Sequence, residues 1–441
     1  MKCFLASLGC AKNQVDAEVM LGFLQQAGYT VTDKAEEAEV IIVNTCGFID
    51  PAKEESIETI LSLAQQKETG KCLALIVTGC LVQRYQSELQ EEIPEIDAFA
   101  GTGDFPSIVS IAEEALLGKK PVQVADKPDF IYDAGDPRSY VPGKSVYVKI
   151  AEGCDNCCSY CVIPAVRGSF RSRSLESVCA EVESLLAKGY SEIILIAQDT
   201  TRYGEDLYGR LMLPELLRRL SALEGDFWLR LLYCYPTRFT DELLDVIAKE
   251  DKICNYIEMP LQHSSDRILR AMNRQGSRED ILALLQKIRK RVPDVTLRTS
   301  FIVGFPGETE EDFADLLDFL NEVKFDRVGI FLYSQEEGTK AGAMPEQTEP
   351  EVKQERYDIA MRLQQKISLA KNQEWVGREL TVLLESISED AEFIVARSYR
   401  DAPEIDGVIY VQPKAGLVLG TFVQVMITEA LEYDLIGEVV G

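Results

Sequence analysis

Between Ser145 and Tyr333 the chain alternates six times between a short apolar run and a helical pattern. The runs are Val146 to Ile150, Glu192 to Ala197, Phe227 to Leu232, Tyr256 to Met259, Val295 to Val303 and Val328 to Leu332. Helical periodicity lies between or after them, at Leu175 to Ala187, Leu213 to Leu223, Asp241 to Lys249, Ser265 to Met272, Glu279 to Arg291 and Glu310 to Val323. Strands separated by helices pair in parallel, so this repeat predicts a partial barrel related to the eight-fold one. Ligands of such barrels bind at the carboxyl ends of the strands.

The first run is followed at once by Glu152-Gly-Cys-Asp-Asn-Cys-Cys-Ser-Tyr-Cys-Val. Cys154, Cys158 and Cys161 have the spacing C-x3-C-x2-C, and a short turn after a strand can point all three thiols inward. Three thiolates hold three irons of a [4Fe-4S] cube and leave the fourth open to a ligand. A structural zinc site would want four closed ligands, often with His. The single histidine, His263, is a hundred residues away. Cys157 leaves an ambiguity, because Cys154 and Cys157 also read as a redox-type C-x2-C pair.

Residues 1–117 read as a smaller α/β domain with a parallel sheet. Its apolar runs, Phe4 to Leu8, Val40 to Val43 and Leu73 to Val77, each end at a cysteine, namely Cys10, Cys46 and Cys80. The carboxyl edges of an open parallel sheet line one crevice, so these distant thiols are expected to converge there as ligands of a second cluster. Ordinary buried cysteine is the plainer reading, and it suits Cys3 and Cys72 better, since they come before or at the start of strands. Residues 118–144 are rich in Pro and Gly and read as a linker. The barrel and a long trailing helix, Glu351 to Gln373, occupy 145–373. Residues 374–441 show five short β patterns, the signature of a small oligonucleotide-binding-like barrel.

Several strand ends carry polar or glycine-rich motifs. Gln198-Asp-Thr-Thr follows the second barrel strand, where Asp199 also suits a helix cap. The fifth ends in Gly304-Phe-Pro-Gly307, whose glycines permit close ligand approach or simply make a turn. His263 follows the fourth, and a lone His is more often structural.

Taken together, the two cysteine triads, the barrel and the terminal β domain, in this order, resemble the radical SAM methylthiotransferases over essentially the whole length. The expected fold is therefore an α/β multidomain chain: an N-terminal parallel-sheet domain, a central partial (β/α)6 radical SAM barrel and a C-terminal TRAM barrel. The resemblance makes Cys157 the extra thiol. It implies two [4Fe-4S] clusters, on Cys154, Cys158 and Cys161 and on Cys10, Cys46 and Cys80, with S-adenosylmethionine (SAM) at the open iron of the first. In that family the residue before the last cysteine, here Tyr160, lies against the adenine. Matching strand-end positions add Gln198, Asp199, Arg298, Gly304, Pro306 and Gly307 as expected SAM contacts. No catalytic residue is expected beyond the cluster ligands, because the cofactor does the hard chemistry.

Two substrates compete within the family, an aspartate of the twelfth small-subunit ribosomal protein and an adenosine of transfer RNA. The stretches Gly79-Cys-Leu-Val-Gln-Arg-Tyr, Ala197-Gln-Asp-Thr-Thr, Pro260-Leu-Gln-His and Asp401-Ala-Pro-Glu-Ile-Asp-Gly resemble the first group. Charge points the same way. The chain has a formal net charge of -27, and residues 374–441 hold thirteen acids against four bases. Such a surface repels polyphosphate and attracts a basic ribosomal protein, free or on the ribosome. A merely solvated acidic face is the plainer alternative, and a non-catalytic iron-sulfur carrier the alternative of another class. An external electron donor, no signal peptide, no membrane anchor and a cytoplasmic location complete the expectations.

Overall fold

The computed structural model describes residues 1–440; Gly441, the last residue of the expected C-terminal domain, lies outside the described residues. The N-terminal sheet contains β1 (Lys2–Ser7), β2 (Thr30–Val31), β3 (Val40–Thr45), β4 (Ala74–Gly79), β5 (Ala98–Ala100) and β6 (Val122–Gln123). All pair in parallel, in the order β2-β1-β3-β4-β5-β6. Three of these strands are the apolar runs legible in the sequence. The other three, only two or three residues long, are too short to leave a periodic signal. The chain reverses direction across the sheet between β1 and β3, the switch point at which open α/β sheets take up ligands.

The expected linker is fastened along its length. β6 extends the sheet, Tyr132 is buried, and Arg138 bridges Glu18 and Glu181 at 2.6 and 2.7 Å. Proline and glycine content marked a segment with little regular structure, the two-residue β6 apart, not one without contacts.

The barrel strands are β7 (Ser145–Lys149), β10 (Glu192–Ile196), β11 (Trp228–Leu231), β12 (Tyr256–Glu258), β13 (Thr296–Val303) and β14 (Arg327–Leu332). They form two parallel three-stranded sheets, joined at the β11 side by a bridge from Leu229 to Ile253. Between β7 and β10, the pair β8 (Ala151–Glu152) and β9 (Arg171–Ser172) closes a small antiparallel ribbon under the cysteine loop. Outward residues such as Ile193, Leu195, Phe301 and Val303 pack beneath the helices. Inward Ile194, Ile196, Trp228 and Leu232 share a second core with Met20 and Phe105 of the N-terminal domain.

The helix Pro350–Gln373 runs on into the last domain. Its buried face is unusually polar because it docks through hydrogen bonds: Gln364 donates to the Phe325 carbonyl and Asn372 to that of Leu431. Strands β15 (Glu379–Ile387), β16 (Ile394–Ser398), β17 (Ile409–Val411), β18 (Phe422–Ala430) and β19 (Leu435–Val439) then close a barrel in the order β15-β16-β17-β19-β18. This barrel is keyed to the amino ends of the central strands by charge. Arg397 meets Glu192 at 2.5 Å, Arg327 meets Asp401 at 2.8 Å, and Arg230 donates to the Tyr399 carbonyl. Among the described residues no helix is long and apolar enough to cross a membrane.

Candidate active site between two cysteine triads

Cys10 follows β1, Cys46 follows β3 and Cys80 follows β4, so adjacent parallel strands deliver all three to the switch-point crevice. Each is next to a glycine, and two of these glycines are needed by the geometry. At Gly9, where φ is +87°, a Cβ would stand 2.8 Å from the Cys46 Cβ and 3.0 Å from its Sγ. At Gly79, where φ is +99°, it would stand 2.5 Å from the Thr45 carbonyl oxygen. Only glycine lets the strand ends approach closely enough for the thiols to share one space.

Cys46 and Cys80 both lie in the field of Cys10. Burial, and then the field of Cys80, pushes the Cys46 thiol up to about 12. Burial also raises Cys80. Cys10 is exposed as a residue; loss of water around its sulfur works against ionisation, but the cations of Lys12 and Arg167 and the N–H groups of Asn13 and Lys12 outweigh it and lower the thiol.

The second triad lies on the loop after β8. The Cys154 N–H donates to the Gly168 carbonyl, and the Ser159 N–H to that of Met272. Cys157 is exposed in a left-handed conformation, its carbonyl held by Asn273 at 2.8 Å. Burial lifts Cys154 to about 11, and both it and Cys161 feel the field of Cys158. Among the described residues no three metal-ligating groups converge on a single ion. A cube imposes no such convergence, since each thiol meets a different iron.

The N-terminal triad borders the segment that follows the second. Cys80 packs against Val162 and Val166, just beyond Cys161. A buried polar network joins the same surfaces. Asp16 of the N-terminal helix accepts from Lys149 and from Arg167 at 2.5 Å each. Glu152, two residues before Cys154, accepts from the same two cations, which hold its carboxyl well below the ordinary range although burial opposes the charge. Arg167 also donates to Asn13, which holds the strand ends through the Leu8 and Thr45 carbonyls. Nothing in the sequence pattern singled out Asn13, Asp16, Lys149 or Arg167.

The expected SAM contacts divide into two groups. Tyr160 joins a small core with Phe305 and Tyr333, bringing it to the Gly304 to Gly307 turn. Asp199 makes no helix cap; it accepts from Asn156 at 2.9 Å and Arg238 at 2.8 Å and so ties the cysteine loop to the second and third barrel strands. Gln198 donates to Glu152, and its Oε1 is buried without a partner. That orphaned acceptor, the aromatic wall at Tyr160 and the three thiols fit a ligand rich in donors above an iron cube.

The other group is turned elsewhere. Arg298 lies early in β13, away from the carboxyl edge, and pairs with Asp406 of the last domain at 3.2 Å and Glu258 at 3.5 Å. Gly304 backs onto Lys353 of the trailing helix, and the Gly307 N–H donates to the Glu346 carbonyl. Pro306 is buried between them. These positions form a packed turn that supports Phe305. His263 is fully buried, accepts from the Ser265 N–H, and is lowered to about 4 by burial. Arg274, missed in the sequence, stacks over Tyr235 and reaches the Cys158 sulfur at 3.9 Å.

Compared with known proteins, residues 2–101 match the uncharacterized protein family UPF0004, residues 148–320 the radical SAM superfamily and residues 376–440 the TRAM domain. The chain is similar to proteins called ribosomal protein uS12 methylthiotransferase RimO. It is 55% identical to that of Desulforamulus reducens, with 98% of each chain covered. The Heliobacterium modesticaldum protein is 53% identical, covering 100% of this chain and 95% of the relative. Among solved structures, the radical SAM methyltransferase TsrM from Kitasatospora setae, with cobalamin and a [4Fe-4S] cluster bound, superposes with a TM-score of 0.57 at 17% identity over 77% of each chain. At that identity the likeness concerns the fold. The full-length identity to the first group shows that this chain belongs to the radical SAM methylthiotransferase family, among the RimO proteins.

Proposed function

We propose that this enzyme adds a methylthio group to the β-carbon of an aspartate in ribosomal protein uS12, using two [4Fe-4S] clusters and SAM. The observation that carries the reading is the identity of 55% across 98% of both chains to a protein of that name. The packing of Cys80 on Val162 and Val166, just beyond Cys161, and the buried Asp16–Arg167 pair between the same two domains support it.

Cys154, Cys158 and Cys161 would hold the cluster that binds SAM; Cys10, Cys46 and Cys80 would hold the second, through which sulfur reaches the substrate. When bound, cluster and SAM supply one-electron cleavage of the sulfonium, which yields a radical able to take hydrogen from an unactivated carbon. The chain's own residues bind, orient and exclude water. Tyr160 offers a flat wall, Gln198 Oε1 an open acceptor, and Asp199 holds the loop through Asn156. The packed Gly304, Pro306 and Gly307 turn supports Phe305 in the core against which Tyr160 packs, and Arg298 pairs with Glu258 at the end of β12.

Charge in the last domain supports a basic protein substrate. Arg397 and Arg400 are buried, but so are Asp401 and the Asp406 side chain, so the excess of acids over bases persists at the outer surface. A phosphate backbone finds little to grip there. The reaction is placed in the cytoplasm, with an external electron donor. Anaerobically reconstituted enzyme, reductant and SAM should add a methylthio group to a uS12 peptide, seen by mass spectrometry, and none to transfer RNA; the reverse would overturn the substrate.

A further inference from the structure

Lys12 stands two residues after Cys10, in the first turn of the helix Ala11–Gln26. Its side chain is buried, with 8% of the residue exposed, and its ammonium lies 3.2 Å from the centre of the Tyr233 ring. No carboxylate pairs with it among the described residues. Glu258, whose field reaches it, is turned to the Tyr233 N–H and to Arg298. The other cations around the triads are occupied: Lys149 and Arg167 by Asp16 and Glu152, Arg238 by Asp199, and Arg274 by the Pro260 carbonyl and the Cys158 sulfur. Apart from the neighbouring Cys10 thiol, whose field also reaches it, the buried ammonium has no anion, and an aromatic face offsets only part of the cost of burying it.

The geometry also shows where Lys12 reaches. Tyr233 follows the carboxyl end of β11, and Glu258 ends β12. Lys12 therefore extends from the Cys10 side of the interface to the carboxyl ends of β11 and β12. Tyr233 is held beneath it in a left-handed conformation, φ +62°, its carbonyl accepting from the Thr200 N–H at 3.0 Å. A non-glycine residue kept in that region marks a position fixed by its surroundings, often at a ligand site.

We propose that Lys12 receives the side-chain carboxylate of the substrate aspartate. This deepens the proposed function and rests on it. The reacting β-carbon is bonded directly to that carboxylate, so anchoring the charge fixes the carbon beside the Cys10 site. Lys12 thereby selects aspartate over its neutral amide and positions it, without taking part in bond making. The carboxylate of SAM is the other source of the same chemistry, but Lys12 is carried by the helix that follows Cys10 in the N-terminal domain and not by the loop that would hold SAM.

The test compares wild type, Lys12→Met and Lys12→Arg, each reconstituted anaerobically and checked for iron content, on uS12 peptides with Asp or Asn at the target position. Wild type should prefer Asp by about 100-fold or more, as expected where a site is built around a polar group. Lys12→Met should raise the peptide KM and reduce that preference to a few-fold, and Lys12→Arg should restore part of it. A wild type that modifies both peptides equally overturns the proposal, as does Lys12→Met that keeps the preference. A rise in the KM for SAM alone overturns it in favour of the SAM carboxylate. If Lys12→Met fails to hold iron, the wild-type preference and the Arg variant decide. A wild type that modifies neither peptide indicts the aspartate reading itself.

Discussion

Replacing Arg167 by Met tests whether the two cysteine-bearing domains are clasped by buried charge. In the native interface two cations, Lys149 and Arg167, face two carboxylates, Asp16 and Glu152, all nearly inaccessible to solvent. Removing Arg167 leaves one lysine facing two carboxylates, so one negative charge stays buried without compensation. Breaking a buried pair this way costs about 3–5 kcal/mol, and the remaining Lys149 argues for about 3. For a cooperative unit of about 150–250 residues that lowers the melting temperature by about 6–12 °C. Thermal unfolding of the apo protein reads the loss. Amide exchange should quicken together in the helix Ala11–Gln26 and in β7, which lie on opposite sides of the clasp. Adding Asp16→Asn removes the surplus charge and should recover part of the loss. The exposed pair Arg219 and Glu215, at 2.9 Å, supplies the control, and Arg219→Met should leave the transition where it was. A loss below about 1 kcal/mol for Arg167→Met, or a double variant no better than the single, would refute the reasoning.

Further predictions concern single positions. Gly9→Ala adds a left-handed alanine and a methyl group against Cys46, and should cost about 2 kcal/mol or more and deplete iron at the N-terminal triad alone. Gly28→Ala, at a similar φ of +88° but in open space, should retain full iron, and equal behaviour of the two would contradict the crowding argument. His263 is held neutral to about 4 by burial, whereas the unfolded chain takes up its proton near 6.5. Stability of the apo protein should therefore fall by up to about 3 kcal/mol as pH drops through that window, and His263→Asn should flatten the slope; an unchanged slope in the variant counts against it. Asp199→Ala removes the anchor of Asn156 and Arg238 and should raise the KM for SAM about ten-fold or more, with Asn at the position restoring part; an unaltered KM would show that the loop holds itself.

Much of this architecture was legible because its signals are local. A barrel strand is an apolar run between helical patterns, and all six lie within one or two residues of the predicted runs. The cysteines announce themselves by lying at strand ends beside glycines. What stayed hidden is what pairs across distance. Arg167 and Asp16 are 151 residues apart and obey no periodicity. Glu192 and Arg230 sit inside apolar-looking strands, where a charged residue reads as solvent-facing until the last domain is seen to bring Arg397 to meet them. Arg298 shows the same limit: counting residues to a strand end does not reveal its pairing with Asp406 of the last domain. The acidic balance of the last domain was correct in sign, yet the burial of Arg397 and Arg400 required the fold.

The central claim is that each triad holds its own cube, and iron and acid-labile sulfide per chain, measured after anaerobic reconstitution, test it most directly. Wild type should carry about eight irons, since three thiolates hold one four-iron cube and there are two such sets. Cys46→Ala and Cys158→Ala should each keep about four, with only Cys46→Ala still cleaving SAM, and the double variant should keep none. A wild type that saturates at about four irons, or a single variant whose iron is unchanged, contradicts the account.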